Sequence, residues 1–122
     1  MTNLNNTPLE HLPQEVSDLF VRLADELQRQ NVKWGEQNHP LVGGSNAYRK
    51  SFAALAADLK RQNELRALTG SIGWDDILRE EVYEALEEDD PARAVYELIQ
   101  VAAVALQAAL SIQRNGLDGT RK

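Results

Sequence analysis

Residues 74–110 read WDDILREEVYEALEEDDPARAVYELIQVAAVALQAAL, and the reading of this stretch decides the fold. Trp74, Ile77, Leu78, Val82, Ala85 and Leu86 recur at the spacing of one helical face, which predicts a helix of about four turns. Asp75 and Asp76 stand at its positive end, where the helix dipole favours them. Asp90-Pro91 is then a start signal, Asp as cap and Pro at the first helical position, for a further helix reaching Arg114. Asn115-Gly116 stops it. From Val101 to Leu110 this helix is apolar nearly all round, so it belongs at a bundle centre or in a subunit interface.

Upstream the same logic yields two more helices. Val16, Leu19, Phe20, Leu23, Ala24 and Leu27 follow amphipathic spacing after Pro13, which suits a first helical turn, and this helix is expected to end near Val32. Gly35, Pro40 and Gly43-Gly44 exclude regular structure over residues 33–45. Ser45 or Asn46 caps a second helix with Tyr48, Phe52, Leu55 and Leu59 on one face. Its stripe breaks at residues 60–63, so it runs to Thr69 or kinks, before Gly70 and Gly73. Residues 1–12 read as a polar arm and residues 117–122 as a fraying tail. No strand pattern competes. The expected architecture is all-α, a four-helix bundle forming one domain over residues 13–116 and assembling as a homodimer or homotetramer.

Composition narrows the functional classes. The chain has 122 residues, enough for one core, and a net charge of −6 that argues against binding a nucleic acid polymer. The absence of cysteine removes thiolate chemistry, disulfides and thiolate-ligated zinc. No basic segment followed by an apolar run opens the sequence, and Val101 to Leu106 falls short of the ~18 apolar residues of a membrane span. A cytoplasmic protein with no membrane association is the expectation.

Certain acids sit on the apolar side of their helices. At 100° per residue, Glu81 falls between Ile77 and Ala85 in angle, Glu84 lies at the rim of that arc, and Glu80 lies just beyond it. On the next helix Glu97 is followed at i+4 by Val101 and at i+7 by Val104, with Gln100 at i+3. Burying unpaired carboxylates costs several kcal/mol each, so they need cations. Arg79 and Arg93 are too few to neutralise Glu80, Glu81, Glu84 and Glu97. A hard divalent ion on oxygen ligands, magnesium or manganese, answers better. His11 and His39 lie off these helices, which decides against a di-iron carboxylate bundle. Glu87, Glu88, Asp89 and Asp90 read as a solvated, capping run.

The segment Glu80-Glu81-Val82-Tyr83-Glu84, twelve residues, then Glu97-Leu98-Ile99-Gln100, resembles the paired motif of MazG-like nucleotide pyrophosphohydrolases. In that motif Glu-Glu-x-x-Glu on one helix is followed by Glu-x-x-Asp on the next. Trp74-x-x-Ile77-Leu78, Asp89-Asp90-Pro91, the run Val101 to Ala105, and KWGEQNHP over residues 33–40 are similar to the small single-domain branch. The resemblance covers roughly residues 15–114.

What the resemblance implies is hydrolysis of a nucleoside triphosphate between the α and β phosphates, giving a monophosphate and pyrophosphate. Glu81, Glu84 and Glu97 would then ligate Mg2+ or Mn2+, and Glu80 would orient the attacking water or accept its proton. Gln100 stands where the motif has Asp; its amide oxygen can coordinate but carries no charge. Lys60 with Asn63, one turn apart, and Lys33 are the basic and polar candidates for gripping phosphates. Trp34 is the candidate for stacking on the base, with Gln37, Asn38 and His39 reading its edge. A reading of a different class is a non-catalytic helical dimer that binds a nucleotide or a protein partner through its acidic rim.

Overall fold

The computed structural model describes residues 11–119, apart from the side chains of Asn46 and Ala47, and the described residues form four helices and no strand. They are α1 (Gln14–Trp34), α2 (Asn46–Thr69), α3 (Trp74–Leu86) and α4 (Pro91–Asn115). The all-α class is therefore observed. The chain divides into two compact units, Met1–His39 and Pro40–Lys122. Most of the polar arm, and residues 120–122 of the tail, lie outside the described residues.

The first unit is built on α1. The carbonyl of Pro13 accepts from the amides of Val16 and Ser17, both at 3.0 Å, so proline opens the helix as its residue type suggests. The helix runs two residues past Val32, through Lys33 and Trp34. It ends where Gly35 takes φ 68° and returns its amide to the Asn31 carbonyl at 2.8 Å. Leu19 is buried, whereas Val21, Leu27, Val32 and Trp34 are exposed.

The second unit holds α2, α3 and α4, with α3 packed against both of the others. Ser45, of the two cap candidates, accepts from the Tyr48 amide at 3.3 Å. No kink interrupts α2, which reaches Thr69 and closes on Gly70 in the left-handed region, φ 72°. Asp90 Oδ2 accepts from the Arg93 amide at 3.0 Å with Pro91 in the first turn, the start signal read from sequence.

The buried face of α2 differs from the predicted stripe. Phe52, Ala56, Leu59 and Asn63 are its buried residues, at i, i+4, i+7 and i+11, whereas Tyr48 and Leu55 are exposed. Ala56 on α2 and Ala85 on α3 are both buried, and small residues let two packed helices approach closely, while Leu55 is turned outward. Phe52 anchors this pair: its ring stacks on Tyr83 of α3 with centroids 5.8 Å apart and meets Tyr48 edge-on at 5.2 Å. Replacing Phe52 by Ala is expected to cost about 3 kcal/mol, read as a lower denaturant midpoint with an unchanged slope.

Within the second unit, α3 covers one side of α4. Leu110 is buried and Val101, Val104 and Leu106 are half-buried, but Val95, Tyr96, Leu98, Ile99 and Ile112 are exposed. Taken as a whole, α4 is long and apolar enough to cross a membrane by length and composition. The uninterrupted apolar run from Val101 to Leu106 is too short for that; the whole helix is not, because the Gln100 and Gln107 that flank the run are polar but uncharged.

Candidate metal centre

Three carboxylates converge where α3 crosses α4. One oxygen each from Glu81, Glu84 and Glu97 lies within 4.8 Å of the other two. Their positions follow from the helical repeat: Glu81 and Glu84 share the α3 face that packs on α4, and Glu97 lies on the α4 face that packs back. All three are half-buried. Oxygens on opposite sides of a magnesium ion stand about 4.2 Å apart, so a small side-chain adjustment would seat all three on one ion.

The electrostatics of this cluster are one-sided. Burial raises the Glu84 carboxyl, the charges of Glu81, Glu80 and Glu97 raise it further, and a hydrogen bond with Glu80 favours the proton; together they push it up to about 7. Glu81 is raised by burial and then by Glu97 and Glu80. No Lys or Arg lowers either. Among the described residues, the ion pairs of Arg29, Arg61, Arg66 and Arg79 go to other acids and none reaches the cluster. Clustered oxygen donors that repel one another and have no basic partner suit a hard divalent cation.

Glu80 belongs to the same group but is held from the other side. Asn63 Nδ2 donates to its Oε1 at 2.9 Å, and Glu80 also shares a hydrogen bond with Glu84. Gln100 follows Glu97 by one turn of α4 and is half-buried.

A cleft of about 260 Å³ opens beside the carboxylates. Ala53, Ala56 and Ala57 of α2 form one wall, Glu84 and Glu97 the other, and Lys60 stands among its lining residues. Lys60 is thus where a phosphate grip was expected. Asn63 is not: it is only 5% exposed and lines no part of the cleft, because its amide is turned to α3 and committed there.

Glu87 and Glu88 also line this cleft. Burial, then Glu88 and Glu97, raise the Glu87 carboxyl. Glu87, Asp89 and Asp90 are exposed and Asp90 caps α4, as the sequence suggests, with Glu88 half-buried.

Lys33, Trp34, Gln37, Asn38 and His39 belong to the first unit and are all exposed. The Lys33 ammonium lies 4.8 Å from the Trp34 ring centre. Asn38 donates to Glu36 at 3.0 Å, and the His39 ring meets the Gln37 amide oxygen at 3.3 Å.

No known protein family, curated protein or solved structure matches the chain.

The chemistry of the carboxylate cluster makes a pH prediction. A carboxyl raised from 4.5 to about 7 keeps in the folded protein a proton that the unfolded chain releases. Its contribution to stability is full below pH 4.5 and is lost as pH rises through about 7. The thermal midpoint without divalent ions should fall across this window, with Glu81 adding in the same direction. Metal binding needs the ionised form, so Mn2+ affinity should rise about tenfold per pH unit over the same window and level off above it. Calorimetric titration across a pH series measures the slope; a flat profile contradicts it.

Proposed function

We propose that the protein is a metal-dependent nucleoside triphosphate pyrophosphohydrolase of the MazG-like kind. The observation that carries the reading is the convergence of Glu81, Glu84 and Glu97 without a basic partner among the described residues, beside a cleft that contains Lys60. Magnesium or manganese held by these carboxylates, with Gln100 as a neutral oxygen donor, would supply charge against the phosphoryl oxygens and acidify the attacking water. Glu80, tied by Asn63 at one oxygen, accepts the water proton. The water oxygen bonds to the α-phosphorus, the bond from that phosphorus to the α–β bridging oxygen breaks, and pyrophosphate leaves with that oxygen. Lys60 binds the outer phosphates. A 260 Å³ cleft falls below the roughly 300 Å³ lower end of pockets that enclose whole ligands, so it suits the phosphates rather than the entire nucleotide.

The protein acts as a homo-oligomer in this reading, a homodimer or homotetramer built on α4. Val95, Ile99 and Ala102 form an exposed stripe at i, i+4 and i+7. Among the described residues no large side chain is fully buried, as in a core that a second copy completes. A bilayer is the poorer cover, because Glu97 on this helix shares its ligand site with two acids of α3 and burying such a group in hydrocarbon is costly. A cytoplasmic location goes with this assignment.

The test is a panel of unmodified and modified nucleoside triphosphates incubated with the protein and Mg2+ or Mn2+. Release of pyrophosphate and a monophosphate from at least one of them supports the hydrolase. Nucleotide binding without turnover favours a non-catalytic binding protein, and neither turnover nor divalent-ion binding leaves an interaction protein.

A further inference from the structure

We infer that Asn63 is a positioning residue for Glu80, set by an ion-paired relay from Arg66 and Asp76; this rests on the hydrolase reading above. Asn63 is 5% exposed, and its amide is engaged at both ends. Its Nδ2 donates at 2.9 Å to the Asp76 carbonyl and at 2.9 Å to Glu80 Oε1, while its Oδ1 accepts from Arg66 Nη1 at 3.0 Å. The reversed amide would set its oxygen against a carbonyl and a carboxylate and its NH2 against a guanidinium. The orientation is thereby locked.

Arg66 is itself held in place. Its Nη2 donates to Gln62 at 2.9 Å and its Nη1 lies 3.3 Å from Asp76 Oδ1. Asp76, buried at 7% exposure, takes Arg79 Nη2 on the same oxygen at 3.0 Å and the Gly73 amide on the other at 3.0 Å. The relay thus runs from the start of α3, through α2, and back to α3 one turn further on. Glu80 is its only member that also bonds to the acid cluster, through Glu84. With Oε1 held by Asn63, the carboxylate is kept beside Glu84, and ionisation of Glu84 on binding a cation would end their shared hydrogen bond and leave Glu80 to meet the reacting water. An Asn that only tied α2 to α3 would need the Asp76 carbonyl; the second donor hydrogen, spent on Glu80, is what a structural tie does not require.

The experiment is a double-mutant cycle on the full chain. N63A, E80Q and the double variant are assayed for pyrophosphate release and Mn2+ binding, with thermal midpoints recorded. N63A is expected to lower kcat by about 10- to 100-fold, the cost of a misplaced reacting group, with KM and Mn2+ affinity changed less than about threefold. In the E80Q background the same substitution should lower kcat by less than about threefold, since the group it positions is already gone. N63S, whose hydroxyl falls short of Glu80 and of the Asp76 carbonyl alike but leaves a smaller void than alanine, should reproduce the kcat loss if N63A fails to fold. An unchanged kcat, an equal loss in both backgrounds, or a loss confined to KM overturns the positioning role while leaving the hydrolase intact. A wild-type protein that turns over no triphosphate removes the hydrolase reading and this inference with it.

Discussion

Glu84→Gln will abolish pyrophosphate release, by about 1,000-fold or more, and at the same time make the protein without divalent ions more heat-stable above neutral pH. The two effects share one cause. Burial, and then the charges of Glu81, Glu80 and Glu97, push the Glu84 carboxyl up to about 7. Above that pH the wild-type side chain is ionised against Glu81, Glu80 and Glu97, which strains the native state. The isosteric amide removes the strain and also removes the charge that a cation needs. Wild-type protein should regain the difference when Mn2+ is added, because a ligand bound only to the folded state stabilises it. The variant should not respond to Mn2+. Thermal midpoints of the two proteins, with and without Mn2+, one pH unit above that value, check this together with the activity. A variant that is both inactive and less stable points instead to an ordinary packing role.

Ile99→Asp is expected to convert the homo-oligomer proposed above to monomers. Ile99 is 61% exposed within the chain, and Val95, at i−4, is equally so. An apolar side chain on a surface helix is unremarkable singly, but this stripe continues through Ala102 on the least charged helix of the protein. If a second copy covers it, a short carboxylate at its centre is buried at a cost of several kcal/mol, which weakens association by about 1,000-fold or more. Aspartate is too short to reach back to solvent. Sedimentation at micromolar concentration reads the result, with circular dichroism confirming that helicity is kept. A wild-type protein that is already monomeric contradicts the interface, and one that floats with lipid vesicles assigns the face to a membrane.

The helices were legible because their ends carry chemistry that tertiary context seldom overrides. Pro13, Ser45 and Asp90-Pro91 open three of them, and Gly35, Gly70 and Gly116 close three with positive φ. The convergence of Glu81, Glu84 and Glu97 was legible for a related reason. Angular position on a helix is a property of sequence alone, and carboxylates inside an apolar arc have few places to go. What depends on the approach of one helix to another was not legible. The α2 face turned on Ala56 and Asn63 instead of Leu55, because side-chain size sets how near α3 can come and hydrophobicity does not. The placement of Asn63 was not legible either: its spacing from Lys60 suggests a shared grip, yet a helix places residues three apart about 60° from alignment, enough to bury one and expose the other. The division of the chain at His39 left no mark in periodicity, since α1 has an amphipathic stripe as regular as those of the other helices.

A crystal of the wild-type protein grown with Mn2+ above neutral pH, with anomalous scattering recorded at the manganese edge, tests the central claim most directly. The account predicts a peak within about 2.3 Å of an oxygen from each of Glu81, Glu84 and Glu97. Full occupancy elsewhere on the surface, or no peak while these three side chains reach into solvent, would contradict it.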